Sequence, residues 1–366
     1  MPEKQPNFNR TKKILFAGGG TLGPVTPLLA VAEAWRKRDA LVDMVWVGTP
    51  HGPEQEVVNK AGIRFLTLLV ARVPRYPTWE WIWLPFRFLF VLFQSVQLLR
   101  RERPDVIGSA GGYTAVPIVM AGWLLRIPAW IHQQDVPPAL TNRIMAPFAR
   151  WITVAWKISL KDFSSSKTCW IGNPVRSSIR EGSKEKARMF FDLDAAYPTI
   201  LVLGGGGGSA WLNEKMSEIG SSLVTHTNVI HITGKGKMRV NLQTFGKRYV
   251  ARELLTNEMP HALAMADVVV CRAGMGTISE LVAWKKTAIM IPLPHSPQEA
   301  NMEQIYASHA AILLSQEQTT ADRLQEKIIW LLGQKKEREQ LGEQMGNILP
   351  VDAADRIVDQ LIQLTE

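Results

Sequence analysis

Three glycine-rich segments hold the residues whose types and spacing best suit chemistry. Gly18-Gly19-Gly20-Thr21-Leu22-Gly23-Pro24, the five consecutive glycines Gly204–Gly208, and Arg272-Ala273-Gly274-Met275-Gly276-Thr277-Ile278-Ser279-Glu280 each follow a short apolar run. A glycine turn that opens a helix offers backbone N–H groups to an anion, with the positive end of the helix dipole behind them. The first segment lacks the Lys-Ser/Thr of a phosphate-binding NTPase loop, and a tight turn without a ligand fits it equally well. Five glycines carry a large conformational-entropy cost, which the close approach of a ligand explains; a merely tolerated flexible loop is the plainer reading. Glu280 has the chemistry to accept hydrogen bonds from two vicinal hydroxyls, such as those of a ribose. It could equally close a helix-capping box with Thr277. Gln298, in Pro294–Asn301, both donates and accepts, as reading sugar hydroxyls requires; an exposed loop glutamine is the alternative.

These segments need elements to hold them. Lys12–Ala17 reads as a strand and residues from about Val25 as a helix, with Leu28, Leu29, Val31, Ala32 and Trp35 at helical spacing. Further strands are expected at Val42–Gly48, Arg64–Leu69, Asp105–Ser109, Pro128–His132 and Trp151–Ala155, with a helix at Glu54–Ala61. After Gly172-Asn173-Pro174 the pattern restarts. Strands are expected at Thr199–Leu203, Val229–Thr233, Val268–Cys271 and Ala288–Ile291, and a helix from about Ala210. The fold class is therefore α/β: two Rossmann-like domains with parallel sheets facing a central cleft. Residues 1–174 form the first domain and 175–349 the second, with an amphipathic last helix (350–366) packing back on the first.

Hydrophobic residues make up 46% of the 366 and charged residues 20%, which suits a globular chain with a substantial core. Cys169 and Cys271 match no metal or redox spacing, so a reducing compartment fits. The net charge of +9 is uneven: residues 1–174 carry +10 and the remainder −1, and ten of the 13 tryptophans lie in the first half. That half holds Trp79-Glu80-Trp81-Ile82-Trp83-Leu84-Pro85-Phe86-Arg87, running into Phe88–Phe93. The run is too short and too interrupted to span a bilayer. Aromatic residues beside arginines suit a surface dipping into anionic headgroups, so Trp79, Trp81, Trp83, Phe86 and Arg87 are candidate membrane contacts. A helix over Phe88–Leu99 is expected to turn one face to the core and the other to lipid. The same clustering with Phe and Leu disfavours nucleic acid as a partner.

Gly18–Pro27, Gly111-Gly112-Tyr113, His132–Asp135, Leu140-Thr141-Asn142, Gly172-Asn173-Pro174-Val175-Arg176, Gly204–Asn213 and Asp267–Glu280 fall in the order and spacing of one family. From Lys12 to the last helix the chain resembles the MurG family of N-acetylglucosaminyltransferases of peptidoglycan synthesis. The resemblance implies a GT-B fold and a UDP-N-acetylglucosamine donor, with neither metal nor cofactor. It implies inverting attack by the muramyl 4-hydroxyl of undecaprenyl-pyrophosphoryl-MurNAc-pentapeptide (lipid I) on the anomeric carbon, giving lipid II. Arg176 would meet the diphosphate. Gly274, Met275, Gly276, Thr277 and Ser279 would serve the nucleotide, Glu280 the ribose, Gln298 the sugar and Thr256 the uracil through its backbone. Thr21, Gly23, Gly206 and Asp135, which stands where the family's asparagine contacts the donor sugar, complete the implied donor set. Gly19, Gly20, Gly111, Gly112 and Tyr113 would receive the acceptor pyrophosphate. The implied location is peripheral, on the cytoplasmic face of the inner membrane. Anionic lipid, the lipid-linked acceptor and other cell-wall synthesis proteins are the implied partners.

The departures fall near the reacting atoms. Leu22 replaces a glycine and Pro24 the histidine of the family's first loop. His132-Gln133-Gln134-Asp135 stands for His-Glu-Gln-Asn, and Gly206 for a serine. Proline cannot accept a proton, so the base passes to Asp135 or His132, each of which could instead be structural. Two other readings of the chain remain: a GT-B transferase with a different lipid acceptor, and a catalytically silent, membrane-associated UDP-sugar-binding relative. A nicotinamide-dependent oxidoreductase is disfavoured, because Gly48-Thr49 stands where an acidic residue is needed.

Overall fold

A computed structural model of the chain describes residues 11–70, 83–239, 242 and 244–365. Two compact units divide them. The first comprises 11–134, 138–174 and 352–365, and the second 135–137 and 175–351, within the described residues.

In the first unit the chain runs β1 (Lys13–Ala17), α1 (Val25–Arg38), β2 (Asp43–Gly48), α2 (Glu54–Lys60), β3 (Arg64–Thr67), α3 (Leu84–Glu102), β4 (Val106–Ser109), α4 (Ala115–Leu124), β5 (Ala129–Gln133), α5 (Leu140–Met145), β6 (Trp151–Val154) and β7 (Thr168–Trp170). Its parallel sheet has the order β3-β2-β1-β4-β5-β6-β7 among the described residues. Ile14, Leu15, Phe16 and Ala17 are wholly buried, as a parallel strand covered on both faces requires. Leu15 lies in register with Val45 on one side and Ile107 on the other.

The second unit runs α6 (Lys184–Phe191), β8 (Thr199–Leu203), α7 (Ala210–Leu223), β9 (Asn228–Ile232), β10 (Tyr249–Arg252), α8 (Met259–Met265), β11 (Val268–Cys271), α9 (Met275–Trp284), β12 (Ala288–Met290), α10 (Pro297–Ala307), β13 (Ile312–Leu313), α11 (Ala321–Gly333) and α12 (Lys335–Asn347). Its parallel sheet has the order β10-β9-β8-β11-β12-β13 among the described residues.

The strand order reverses at β1/β4 in one sheet and at β8/β11 in the other. Loops leaving the carboxyl ends of strands at such a switch point diverge and leave a crevice where ligands bind. The sheet order thus brings Gly18–Gly20 beside Gly111-Gly112, and Gly204–Gly208 beside Arg272–Gly274.

The last helix, α13 (Ala353–Leu364), belongs to the first unit. Ile357, Val358 and Leu361 enter the core shared with Trp35 and Leu28 of α1. Burial of each such side chain contributes about 1.5–3 kcal/mol. Arg38 pairs with Asp355 at 3.4 Å and with Asp359.

Helix α3 starts with Pro85 in its first turn, where proline's missing N–H costs nothing, and ends at Arg103 in a left-handed conformation. Val91, Ser95, Leu99 and Glu102 form its buried stripe. Phe86, Leu89, Phe90 and Phe93 stay about 60% exposed, as does Trp83 at its start. Trp79 and Trp81 lie outside the described residues. Among the described residues no helix is long and apolar enough to cross a membrane.

Candidate active site

In the second unit, β11 is buried along its whole length and delivers the chain to Arg272-Ala273-Gly274. Gly274 is the N-cap of α9. No side chain caps the helix there, and its first turn holds no acidic residue. The N–H groups of that turn and the positive end of the dipole are therefore open to an anion. The helix begins at Met275, so Thr277 lies inside it, and the capping-box alternative for Glu280 is withdrawn. Ser279 lies beyond the first turn, and its hydroxyl donates to Met275 O at 2.7 Å. Glu280 is half-buried. Burial pushes its carboxyl up to about 7, with the Arg176 guanidinium pulling the other way.

Gln298 occupies the first turn of α10, behind the N-cap Ser296. Its Oε1 accepts from Leu293 N at 2.9 Å, and its Nε2 stands 4.0 Å from where a Cβ on Gly274 would be. Its amide nitrogen therefore lies against the start of α9. Thr256 is exposed, and its N–H donates to the Glu258 carboxylate at 3.1 Å.

The five-glycine loop separates into steric and non-steric positions. A Cβ on Gly204 would strike Ser209 N at 2.2 Å, and one on Gly208 would strike Thr233 O at 2.2 Å. Gly205 needs its positive φ of 78° to form the turn closed by Gly208 N to Gly205 O at 3.0 Å. A Cβ on Gly207 would meet nothing within 4 Å, and Gly206 is exposed. The turn's tip therefore has space on its outer side that folding does not use.

Sequence reasoning gave Arg272 no role. Its buried guanidinium donates to Ser209 Oγ from both Nε (3.1 Å) and Nη2 (2.9 Å), to Ile291 O (3.2 Å), to Pro292 O (2.7 Å) and to Gln316 Oε1 (2.5 Å). One side chain thus ties together the glycine loop's exit, the strand end before α10 and the Gln316 segment.

Asp135 groups with the second unit although it follows β5 of the first. Its Oδ1 accepts from Asn301 Nδ2 at 2.9 Å. Burial pushes the Asp135 carboxyl above its usual range, and the Asn301 hydrogen bond pulls it partly back.

In the first unit the two glycine segments pack backbone to backbone. A Cβ on Gly18 would lie 3.0 Å from Gly111 O, and one on Gly112 would lie 2.9 Å from Gly19 O. Gly111 and Gly112 have φ of 107° and 97°, in the region that favours glycine. Tyr113 covers Gly20, with a ring carbon 2.9 Å from that residue's Cβ position. Beneath Gly19 lies Glu54, fully buried, whose Oε1 accepts from Thr49 N at 2.8 Å and Thr49 Oγ1 at 2.5 Å. Its Oε2, Thr114 Oγ1 and Asn142 Oδ1 are buried without hydrogen-bond partners. Thr21 and Gly23 are exposed, and Gly23 O accepts from Gln134 Nε2 at 3.2 Å. Pro24 sits at the N-cap of α1.

His132 is removed from the catalytic candidates. Its ring is fully buried, and burial lowers its pKa to about 4, so it is neutral. Nε2 donates to Asn173 Oδ1 at 2.9 Å, which leaves Nδ1 to accept from the Thr153 hydroxyl at 2.8 Å. Thr153 Oγ1 in turn accepts from Trp130 Nε1 at 2.9 Å. The ring's one lone pair is spent inside the unit, and a base needs it free.

The glycosyltransferase family 28 N-terminal domain matches residues 14–154, and the C-terminal domain of that family matches residues 199–356. A UDP-N-acetylglucosamine–N-acetylmuramyl-(pentapeptide) pyrophosphoryl-undecaprenol N-acetylglucosamine transferase of Geobacillus kaustophilus is 31% identical over 358 residues, covering 96% of this chain and 99% of its own. A like-named protein of Shouchella clausii is 33% identical over 322 residues, covering 87% and 90%. Among solved structures, MurG of Acinetobacter baumannii aligns with a TM-score of 0.74 at 22% identity, covering 97% of this chain and 100% of its own. A Neisseria meningitidis UDP-GlcNAc 2-epimerase bound to UDP-GlcNAc aligns with a TM-score of 0.69 at 14% identity, covering 96% and 100%. At those identities the structural matches speak for the fold, which is the GT-B arrangement of two parallel-sheet α/β domains.

Proposed function

This chain belongs to glycosyltransferase family 28, among its UDP-N-acetylglucosamine-dependent transferases, and on that premise we propose how its residues share the work. It moves N-acetylglucosamine from UDP-N-acetylglucosamine to the muramyl 4-hydroxyl of a pyrophosphoryl-undecaprenol-linked acceptor, converting lipid I to lipid II. The observation that carries this is identity to such transferases across nearly the whole length of both chains.

The donor is assigned to the second unit. Its diphosphate meets the uncapped amide end of α9, at Gly274, Met275, Gly276 and Thr277, with Arg176 as counter-charge. Glu280 takes the ribose hydroxyls, Gln298 the sugar, Thr256 the uracil, and the open tip at Gly206 gives the donor room. The paired loops at Gly19-Gly20 and Gly111–Tyr113 of the first unit take the acceptor pyrophosphate. Asp135 is the base: the acceptor O–H proton passes to its carboxylate as the oxygen bonds the anomeric carbon. The bond from that carbon to the diphosphate breaks, UDP leaves, and the configuration inverts. A carboxyl held above its ordinary range by burial accepts a proton more readily, which supports this role. The exposed aromatic face of α3, with Trp83, Phe86 and Arg87, is assigned to the headgroup region of an anionic membrane, from which the acceptor is drawn.

The test is UDP release by the purified chain with a lipid I analogue in detergent. Asp135→Asn is expected to lower kcat by about 100-fold or more while donor binding persists. Unchanged turnover in that variant would remove Asp135 as the base. Donor binding without turnover in the unaltered chain would mark a silent relative.

A further inference from the structure

We infer that Asn301 is the positioning residue of the transfer, fixing the Asp135 carboxylate relative to the amide end of α9. The inference rests on the reading of Asp135 as base. Asn301 lies in the second turn of α10 and has no exposed surface. A buried carboxamide is costly unless its groups are paired. Its Nδ2 donates to Asp135 Oδ1 at 2.9 Å and to Ala273 O at 3.3 Å, while its Oδ1 accepts from Val136 N at 3.3 Å. The three bonds reach a side chain, the peptide that follows it, and the carbonyl just before the α9 N-cap.

Only a carboxamide satisfies that set. The carboxylate and the Ala273 carbonyl both need a donor, and the Val136 N–H needs an acceptor. An aspartate at 301 would set two carboxylates against each other, and an alanine would remove all three of these hydrogen bonds. The donated N–H also favours the ionised form of Asp135, the form a base requires. Asn301 need not touch either substrate for this: it acts through the place and ionisation of Asp135. It also explains why Asp135–Pro137 groups with the second unit.

The experiment compares kcat and donor KM for the full chain, Asn301→Ala, Asp135→Asn, both together, and the exchange Asp135→Asn with Asn301→Asp. Asn301→Ala is expected to lower kcat by about 10–100-fold and to change donor KM by less than about threefold. In the Asp135→Asn background the same change is expected to add little, because the two act as one unit. The exchange keeps a donor–acceptor pair but moves the charge, and is expected not to restore turnover. Additive losses, a rise in KM with kcat intact, or recovery in the exchange would each overturn the inference. Full turnover in Asp135→Asn alone would overturn the premise as well, and is recognised without any change at 301. Should Asn301→Ala not fold, Asn301→Ser carries the same comparison.

Discussion

Arg272 grips the Ser209 hydroxyl with two of its nitrogens, at 3.1 and 2.9 Å, and Ser209 is the N-cap whose oxygen accepts from Leu212 N at the start of α7. The strand end that opens α9 is thereby fastened to the helix that closes the five-glycine loop, so the two loops proposed to meet the donor share one anchor. Arg272→Ala removes that anchor and takes its donor from the buried Ile291 carbonyl and the part-buried Pro292 carbonyl. A loss of roughly 3 kcal/mol of stability is expected, read by denaturant unfolding, together with weaker donor binding. Arg272→Lys should recover little, since an ammonium lacks the planar fork that reaches Ser209, Ile291 O and Pro292 O together.

Two glycines differ in what a side chain would cost the fold. Gly19→Ala would drive a methyl to about 2.1 Å from the Glu54 carboxylate, and is expected to destabilise the first unit by about 1–3 kcal/mol. Gly207→Ala meets open space, so its unfolding midpoint should stay within experimental error while donor affinity falls. If donor affinity in Gly207→Ala equals that of the unaltered chain, the loop's open tip is not a ligand surface.

Donor binding should depend on pH through Glu280. Its carboxyl, pushed up to about 7 by burial, is partly protonated at neutral pH. Ribose hydroxyls donate to its ionised form, so donor binding should pull that pKa back down. Affinity measured by calorimetry is therefore expected to rise from about pH 6 to about pH 8 and then level off. The same group makes folding less favourable as pH rises from the ordinary carboxylate range to about 7, because the folded state holds the extra proton there. Glu280→Gln should flatten both dependences, and an unaltered pH profile in that variant would contradict the assignment.

The exposed face of α3 predicts lipid binding that can be removed without harming the fold. Phe86, Phe90 and Phe93 are each about 60% exposed, so Phe86→Ser with Phe90→Ser should leave the unfolding midpoint nearly unchanged. Co-sedimentation with anionic phospholipid vesicles should fall by about tenfold or more, and high salt should weaken what remains. Equal sedimentation of the double variant would place the membrane contact elsewhere.

The central strands were legible because each is a run of four or five apolar residues leading into glycine. β1, β8 and β11 fall at their expected places within one residue. The edge strands β7, β10 and β13 were not legible: they are two to four residues long, and β7 and β13 are only half-buried. The glycine loops announced themselves through composition, and the resemblance named Glu280 and Gln298. Asn301 and Arg272 could not be found that way. Their meaning lies in bonds that cross the chain, 166 residues in the case of Asn301 to Asp135. His132 misled for the same reason, since Thr153 and Asn173, which occupy its nitrogens, are distant in sequence.

Sugar transfer is read from the product that the purified chain forms from isotopically labelled UDP-N-acetylglucosamine and a lipid I analogue. Mass spectrometry should show the acceptor heavier by one labelled N-acetylglucosamine. Proton NMR should show a β-linkage, inverted from the α-configured donor, with UDP released in equal amount. A product with retained configuration, or UDP released without any change in the acceptor, would rule out inverting transfer to lipid I.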